Sequence, residues 1–453
     1  MITKEIIEET RLGELKNFYR YATGASIDTR ILKKGDIFFA LVGENTDGHN
    51  FISDAFENGA SLCVVSKLWF EKNKDRFKSM PFWIVDDPLK AMQTLSKFYL
   101  KRFDIPRLAI TGTAGKTTCR KFIFTVLSTK YNVHTTIGNY NNHIGMPLSI
   151  LSLNRNHQIS IVEIGTNKPG EIAYLCDILK PTHGLITNIG YGHIEFFGSK
   201  KGVAEEKGSL FKILPESGIA YVNMDDPYIV RIDTSAKKIT YGIKRKKCDY
   251  HATILEFDNF GRATIKLNSH IIKISTPGRF SVYNALTAYT VAKSFTIEDE
   301  AIIEALSKLE PDPQRFNITD FNGIKIIDDT YNANPDSTSA SIETLNLMNT
   351  GGKKIFIFGD MLELGKHSIK AHKSIGTQIS RSNIDEFYCT GNLAYHSYLR
   401  AKELGFKKAY HYENKIELAN AVIKNIKKGD LILIKGSRGS KMEEIIEYIM
   451  KGV

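Results

Sequence analysis

The stretch Thr111-Gly112-Thr113-Ala114-Gly115-Lys116-Thr117-Thr118 decides how the chain is read. The apolar run before it, Arg107-Leu108-Ala109-Ile110, has the character of a buried strand. The run after it, Cys119-Arg120-Lys121-Phe122-Ile123-Phe124-Thr125-Val126-Leu127, has that of a helix. Strand, glycine-rich turn, Lys-Thr and helix together make a phosphate cradle. Glycines let backbone N–H groups approach the anion, and a helix N-terminus favours negative charge. Lys116 is placed to neutralise outer phosphates, and the Thr117 hydroxyl to ligate Mg²⁺. The candidate nucleotide-binding residues are thus Gly112, Thr113, Gly115, Lys116, Thr117 and Thr118. The common spacing G-x-x-x-x-G-K-[ST] would need glycine where the chain has Ile110, so this loop is shorter, G-x-x-G-K-T-T. A chance turn capping a helix is the competing reading, and the strand–loop–helix context argues against it.

Bulk composition bounds the class. At 453 residues, 42% hydrophobic and 25% charged, the chain is long enough for several soluble domains of roughly 100–200 residues each. No apolar run is long enough to span a bilayer. The N-terminal Met1-Ile2-Thr3-Lys4-Glu5-Ile6-Ile7-Glu8-Glu9 reads as an amphipathic helix rather than a signal peptide, which points to the cytoplasm. Five scattered cysteines (Cys63, Cys119, Cys176, Cys248, Cys389) without C-x-x-C spacing argue against a disulfide framework or a zinc site. Cys119, beside the phosphate loop, reads as a small helix-facing residue. A net charge of +11 raises nucleic-acid binding as a reading. The longest basic cluster, Lys244-Arg245-Lys246-Lys247, reads instead as an exposed turn between strands, and no aromatic-interleaved basic stripe is present to stack bases. Nucleic acid is not an expected partner.

The pattern divides the chain into three α/β domains, with boundaries near Asp86-Asp87-Pro88 and Pro311-Asp312-Pro313: 1–85, 86–310 and 311–453. The first mixes short strands and helices, with a buried strand after Gly35, a helix over 51–60 and a strand over 61–65. The second alternates strands (108–110, 159–163, 184–188, 220–223) with helices, which implies a parallel sheet covered on both faces. Between 250 and 275 the pattern turns to alternation without helices, a small antiparallel sheet, and a helix over 282–295 follows. Beyond 311, strands at 324–328, 355–358, 386–389 and 431–434 alternate with helices again.

In an open parallel sheet, ligands collect at the carboxyl ends of the strands. Glu163 ends one strand, and His193 and Glu195 follow another. With Thr117 they would suit a divalent cation held around phosphates, although oxygen is a commoner magnesium ligand than imidazole. A second polar run, Asp328-Asp329-Thr330-Tyr331-Asn332-Ala333-Asn334-Pro335-Asp336-Ser337, also follows an apolar strand. A turn with an N-cap accounts for residues 334–337. It accounts less well for paired aspartates at a strand end.

Taken together these segments resemble the Mur ligase family, ATP-dependent peptide-bond-forming enzymes of cell-wall precursor synthesis. The short phosphate loop is similar to the family's ATP loop. Gly138-Asn139-Tyr140-Asn141-Asn142-His143-Ile144-Gly145-Met146-Pro147 resembles its Gly-Asn-x-Asn-Asn-x-x-Gly-x-Pro segment. Glu163-Ile164-Gly165-Thr166-Asn167-Lys168-Pro169-Gly170-Glu171 and Thr187-Asn188-Ile189-Gly190-Tyr191-Gly192-His193-Ile194-Glu195 resemble the stretches carrying its magnesium glutamate and metal histidine. Asp329 to Ser337, Gly359-Asp360-Met361-Leu362-Glu363-Leu364-Gly365 and Lys435-Gly436-Ser437-Arg438 resemble the branch that adds D-alanyl-D-alanine. Ser26-Ile27-Asp28-Thr29-Arg30, Gly35 to Ala40 and Asp47-Gly48-His49 resemble the UDP-sugar-binding region. The chain departs from the pattern at Phe280-Ser281, where His-Asn is usual, at Gln314 before Arg315, where glycine is usual, and at Gly192, where alanine is usual.

The resemblance implies an N-terminal UDP-binding α/β domain, a central P-loop-type ATPase domain and a C-terminal Rossmann-like domain. It implies ATP and Mg²⁺ as cofactors, with UDP-N-acetylmuramoyl-tripeptide and D-alanyl-D-alanine as substrates, joined through an acyl phosphate by a monomer. A related carboxylate–amine ligase acting on another cell-wall or amino-acid substrate is the alternative. By the same resemblance Lys116 holds the outer phosphates, and Thr117, Glu163 and His193 hold metal. Lys207, in Glu205-Glu206-Lys207-Gly208, matches a lysine that many members carbamylate; an ordinary surface lysine is the competing reading. Lys116, His193 and Lys207 are thus the catalytic candidates. Asn284, Arg315 and Asp329 approach ATP, the last two from across a domain interface. Ser26, Thr29, Arg30, Asn141, Asn332 and Asn334 contact the peptide or sugar substrates.

Overall fold

The computed structural model describes residues 1–452. Among these the strands assort into three larger sheets and one two-stranded pair. The first sheet runs Glu14–Lys16, Phe82–Val85, Leu62–Ser66, Ile37–Phe39, Ala25–Ser26, parallel except at the first strand. The buried strand after Gly35 and the strand near 61–65 are both present. The helix expected over 51–60 is shorter: Gly48–Phe51 is a tight 3-10 turn, and the α-helix covers only Ile52–Glu57. Gly59, at φ +91, turns the chain away against Lys34. The N-terminus also differs from expectation. Ile2–Thr3 is extended and pairs with Tyr21–Ala22, with Ile2 fully buried, and the helix is confined to Lys4–Glu9.

The central sheet has nine strands. In spatial order they are His270–Pro277, Arg262–Leu267, Tyr250–Phe257, Lys237–Gly242, Ile219–Asn223, His183–Ile186, Arg107–Thr111, Ile159–Glu163 and Val133–Thr135. The last six are mutually parallel, and the first three form the expected antiparallel extension. The strands flanking Arg107–Thr111 are fully or nearly fully buried, as a sheet covered on both faces requires. Arg107–Thr111 sits where the strand order reverses, so its carboxyl end opens into a crevice between two diverging connections. Lys244-Arg245-Lys246-Lys247 is an exposed turn between strands, as the sequence indicates.

The third sheet runs Asn317–Phe321, Ile324–Asp329, Leu431–Lys435, Lys354–Phe358, Glu386–Thr390, Ala409–Tyr412, parallel after the first pair. Its carboxyl edge faces that of the central sheet. The joints on either side of the central sheet differ in kind. The helix Pro88–Leu100, capped by Asp87 with proline in its first turn, buries Ala91, Met92, Leu95 and Tyr99. One continuous apolar core runs through it, from Ile37, Phe39 and Trp83 of the first sheet to Met146, Leu175 and Leu179 of the central domain. Residues 310–316, by contrast, carry no regular structure, and Gln314 and Phe316 both adopt left-handed backbone (φ 60° and 54°). Among the described residues no helix is long and apolar enough to cross a membrane.

Candidate active site

The phosphate loop is built as the sequence implies. Strand Arg107–Thr111 ends at Gly112, where a Cβ would overlap the Thr187 hydroxyl of the neighbouring strand end, so only glycine fits. Gly115 caps the helix Lys116–Leu127 in left-handed conformation. The strand expected through 188 stops at Ile186, because Thr187 and Asn188 turn towards the loop. Thr187 Oγ1 and Asn188 Nδ2 donate to Ala114 O (2.7 and 2.9 Å), and Asn188 Oδ1 accepts from Ala114 N (3.0 Å). Cys119 is buried on the helix face, and its thiol is pushed far up by burial.

Two cavities meet at this loop. One, about 320 Å³, is lined by Lys116, Thr117, Asn141, Glu163, His193 and Arg315 among others. The second, about 270 Å³, is lined by Thr118, Asn284, Phe280, Asp329 and Lys435. Ala114, Gly115, Arg315 and Tyr331 line both. The first is a polar chamber around the lysine. Thr117 Oγ1 donates to Glu163 Oε2 (2.9 Å), and Asn141 Nδ2 donates to Glu163 Oε1 (2.9 Å). Lys116 Nζ reaches back to Gly112 O (3.0 Å), and burial draws its ammonium pKa below the ordinary value, against the pull of Glu163. His193, at left-handed φ 56°, points Nδ1 to within 3.2 Å of Glu363 Oε2, without the alignment of a hydrogen bond.

The C-terminal domain completes both cavities. Arg315 Nη2 donates to Thr117 Oγ1 (3.1 Å), and its guanidinium lies 3.9 Å over the Tyr331 ring. Asp329 and Lys435 stand opposite each other in register at adjacent strand ends. Lys435 Nζ lies 2.6 Å from Asp329 Oδ2 and donates to Asn332 O (3.1 Å). Asn284, only 8% exposed, has a side-chain amide with no partner among the described residues, and it faces the second cavity. The aromatic Phe280, standing where the family has histidine, packs edge-on against Phe316 across the domain joint (6.1 Å).

Other candidates lie differently. Lys207 is not a surface lysine: it is 1% exposed on the helix Lys200–Ile213. Burial, then the charge of Lys116, pull its pKa down to about 7 against Glu206. Ser26, Thr29 and Arg30 sit on the N-terminal domain and line neither cavity; the Ser26 hydroxyl is spent on Asp28 O and Arg30 pairs with Asp28. Asn334 Oδ1 caps the helix Pro335–Leu347 through Ser337 N (2.8 Å), and Asn332 Oδ1 accepts from Ala333 N (2.9 Å). Both line the first cavity, with their carbonyl oxygens already committed. Gly192 leaves its Cβ position 2.8 Å from Thr113 Cγ2. Arg120 was not among the sequence candidates. Its guanidinium donates to Thr136 O (2.7 Å) and stands 3.9 Å from Glu163 Oε2. The available signal is its position four residues after Lys116, on the same helix face.

The oxygen set of Thr117 and Glu163 suits a hard divalent cation. Among the described residues no three His, Cys, Asp or Glu side chains converge to hold a metal unaided. Such an ion would therefore draw further ligands from phosphate and water, as magnesium commonly does.

Relatives in sequence and in structure point to one family. Residues 110–292 match the Mur ligase middle domain, 314–438 the Mur ligase glutamate ligase domain, and 22–79 the Mur ligase family catalytic domain. The chain is 36% identical to UDP-N-acetylmuramoyl-tripeptide--D-alanyl-D-alanine ligase of Bacillus subtilis, over 94% of this chain and 93% of that protein. It is 31% identical to the Escherichia coli protein of the same name, over 97% and 96%. It superposes on a crystal structure of MurF from Acinetobacter baumannii with a TM-score of 0.87 at 26% identity, covering 99% of both chains. It superposes on MurF ligase from Thermotoga maritima in complex with ADP with a TM-score of 0.80 at 28% identity, covering 95% and 98%. The chain belongs to the Mur ligase family.

Proposed function

We propose that this ligase joins D-alanyl-D-alanine to the C-terminal carboxylate of UDP-N-acetylmuramoyl-tripeptide at the expense of ATP, through an acyl phosphate, as a cytoplasmic monomer. The observation that carries the reading is the meeting of two cavities at Ala114 and Gly115 of the phosphate loop, with Arg315 of the C-terminal domain lining both and donating to Thr117 of the loop (3.1 Å). The names of full-length relatives support the choice of substrates.

The obstacle in this chemistry is bringing a carboxylate up to a polyphosphate. Such transfer is promoted mainly by positioning and by neutralising charge. The second cavity takes the nucleoside, with the unpartnered Asn284 amide facing the base and the Asp329–Lys435 pair on the ribose side. Lys116 and Arg315 neutralise the outer phosphates. The first cavity takes the peptide carboxylate and the incoming amine. Thr117 and Glu163 would hold Mg²⁺, with His193 beside them, and the ion would supply charge neutralisation between the phosphates and the carboxylate. Asn141 and Arg120 fix the orientation of Glu163. Burial, then the charge of Lys116, draw the Lys207 pKa down to about 7, which favours the free amine that carbamylation requires. Ser26, Thr29 and Arg30 are assigned to the UDP-sugar end.

The test is ADP release with UDP-N-acetylmuramoyl-tripeptide, with and without D-alanyl-D-alanine, followed by the mass of the product. Release that needs both substrates and yields the pentapeptide supports the reading; release with a single amino acid instead favours a related carboxylate–amine ligase. Lys116→Ala is expected to lower ADP release by at least about a hundredfold, and turnover close to wild type would remove the lysine from the chemistry.

A further inference from the structure

We infer that Asp336 is a positioning residue, through which the C-terminal domain, once closed, sets the phosphate loop and the His193 loop in working register. The inference rests on the ligase reading above. Asp336 lies in the first turn of the C-terminal-domain helix Pro335–Leu347, and its Oδ2 accepts from Tyr191 N (2.6 Å) of the central domain. The preceding residue continues the path: Gly190 N donates to Thr113 Oγ1 (2.8 Å). Thr113 N in turn donates to Asn188 O (3.0 Å). A short hydrogen-bonded path therefore joins the C-terminal domain to the backbone of the phosphate loop. The same segment carries His193, held in left-handed conformation with Glu363 of the C-terminal domain 3.2 Å from its ring. One carboxylate of the C-terminal domain thus holds this loop by a hydrogen bond, and a second stands beside its histidine.

An acidic residue in the first turn of a helix also favours the helix dipole, and that role alone would need no partner. Position 190 argues for more. A Cβ there would overlap the Asp336 carboxylate and stand 3.0 Å from Thr113 Cγ2. The backbone of residue 190 has been brought against Asp336 as closely as glycine permits. When the domains part, this contact and the one to Glu363 are lost together, and the loop is released from the C-terminal side. Small misplacements of such groups are enough to lower turnover by large factors.

The test uses the full-length protein and four variants: Asp336→Ala, Asp336→Asn, Gly190→Ala, and the Gly190→Ala/Asp336→Ala double. Three quantities are read: kcat and KM for ADP release with both substrates, the thermal midpoint, and the compactness of the ADP-bound protein by small-angle scattering. Asp336→Ala is expected to lower kcat about tenfold with only a small fall in the midpoint, and Asp336→Asn, which keeps an acceptor oxygen, to recover most of the kcat. Gly190→Ala is expected to be worse than either and to leave the molecule more open. The double variant should return to the Asp336→Ala level in kcat and to wild-type compactness, the non-additivity expected of two residues in contact. A double variant no better than Gly190→Ala overturns the inference, as does an Asp336→Ala enzyme with unchanged kcat. A wild-type protein that does not need both substrates would instead sink the ligase reading, while the compactness series would still judge the contact.

Discussion

Single residues set the charge balance of the cleft, and two of them make sharp expectations. Lys435 is 2% exposed and pairs with Asp329, which itself is 15% exposed. Removing one partner of such a pair strands the other charge, so Lys435→Met should destabilise the protein by about 3 kcal/mol in urea unfolding. Asp329→Asn placed on the Lys435→Met background should recover part of that loss. Lys207 acts through pH. Its folded pKa, pulled down to about 7 from an ordinary 10.5, means that between those values the unfolded chain binds the extra proton. This group's contribution therefore makes stability rise with pH from about 7 towards 10.5, and its full penalty is felt below 7. Lys207→Met should flatten that slope in thermal melts taken from pH 7 to 9. If the amine is carbamylated in the working enzyme, stripping dissolved CO₂ should lower ligation, and native mass spectrometry should show the loss of one CO₂. Lys116 and Thr117 were legible in the sequence because loop chemistry ties residue type to spacing, and Glu163 because it ends a strand of the parallel sheet. The burial of Lys207 was not, since nothing in Glu205-Glu206-Lys207-Gly208 says which helix face meets the core. Arg120 was missed for a related reason: its role depends on Thr136 and Glu163, distant in sequence and near only in the folded sheet.

At the level of elements, the sequence spoke clearly wherever a strand is buried on both faces. The runs at 355–358 and 431–434 are continuous apolar stretches, 159–163 is apolar at three of its five positions, and each became a strand within a residue of its expected ends. Elements held by only a few residues were silent: Ile2–Thr3 and Tyr21–Ala22 exist because each supplies the other's partner. The helix Pro335–Leu347 shows one element serving two purposes. Its capping box, Asn334 with Ser337, fixes the first turn, and that turn presents Asp336. Asn334→Ala should cost about 1 kcal/mol of stability and should also lower kcat by loosening the turn. A loss of stability with kcat intact would confine Asn334 to capping.

Across the whole molecule, the two joints divide labour. The first two sheets share one apolar core through Pro88–Leu100, whereas the third meets the central sheet through the irregular segment 310–316, hydrogen bonds at the cleft and a small apolar contact at Ile194 and Phe280. The proposed C-terminal domain, 311–453, owns two apolar clusters, one of which borrows only Ile194 and Phe280 from outside. Expressed alone, 311–453 should melt cooperatively, whereas 1–85 alone should not, because much of its apolar surface is covered by residues beyond it. A featureless melt of 311–453 would contradict the boundary at 310. The fused pair of sheets also has a consequence for what the enzyme accepts. If the sugar-nucleotide end of the substrate is anchored on the first sheet and the carboxylate must arrive at Lys116, the span between them is fixed by a rigid body. The protein then acts as a measuring stick: a peptide one residue short or long would dock at its far end yet bring its terminus to the wrong place.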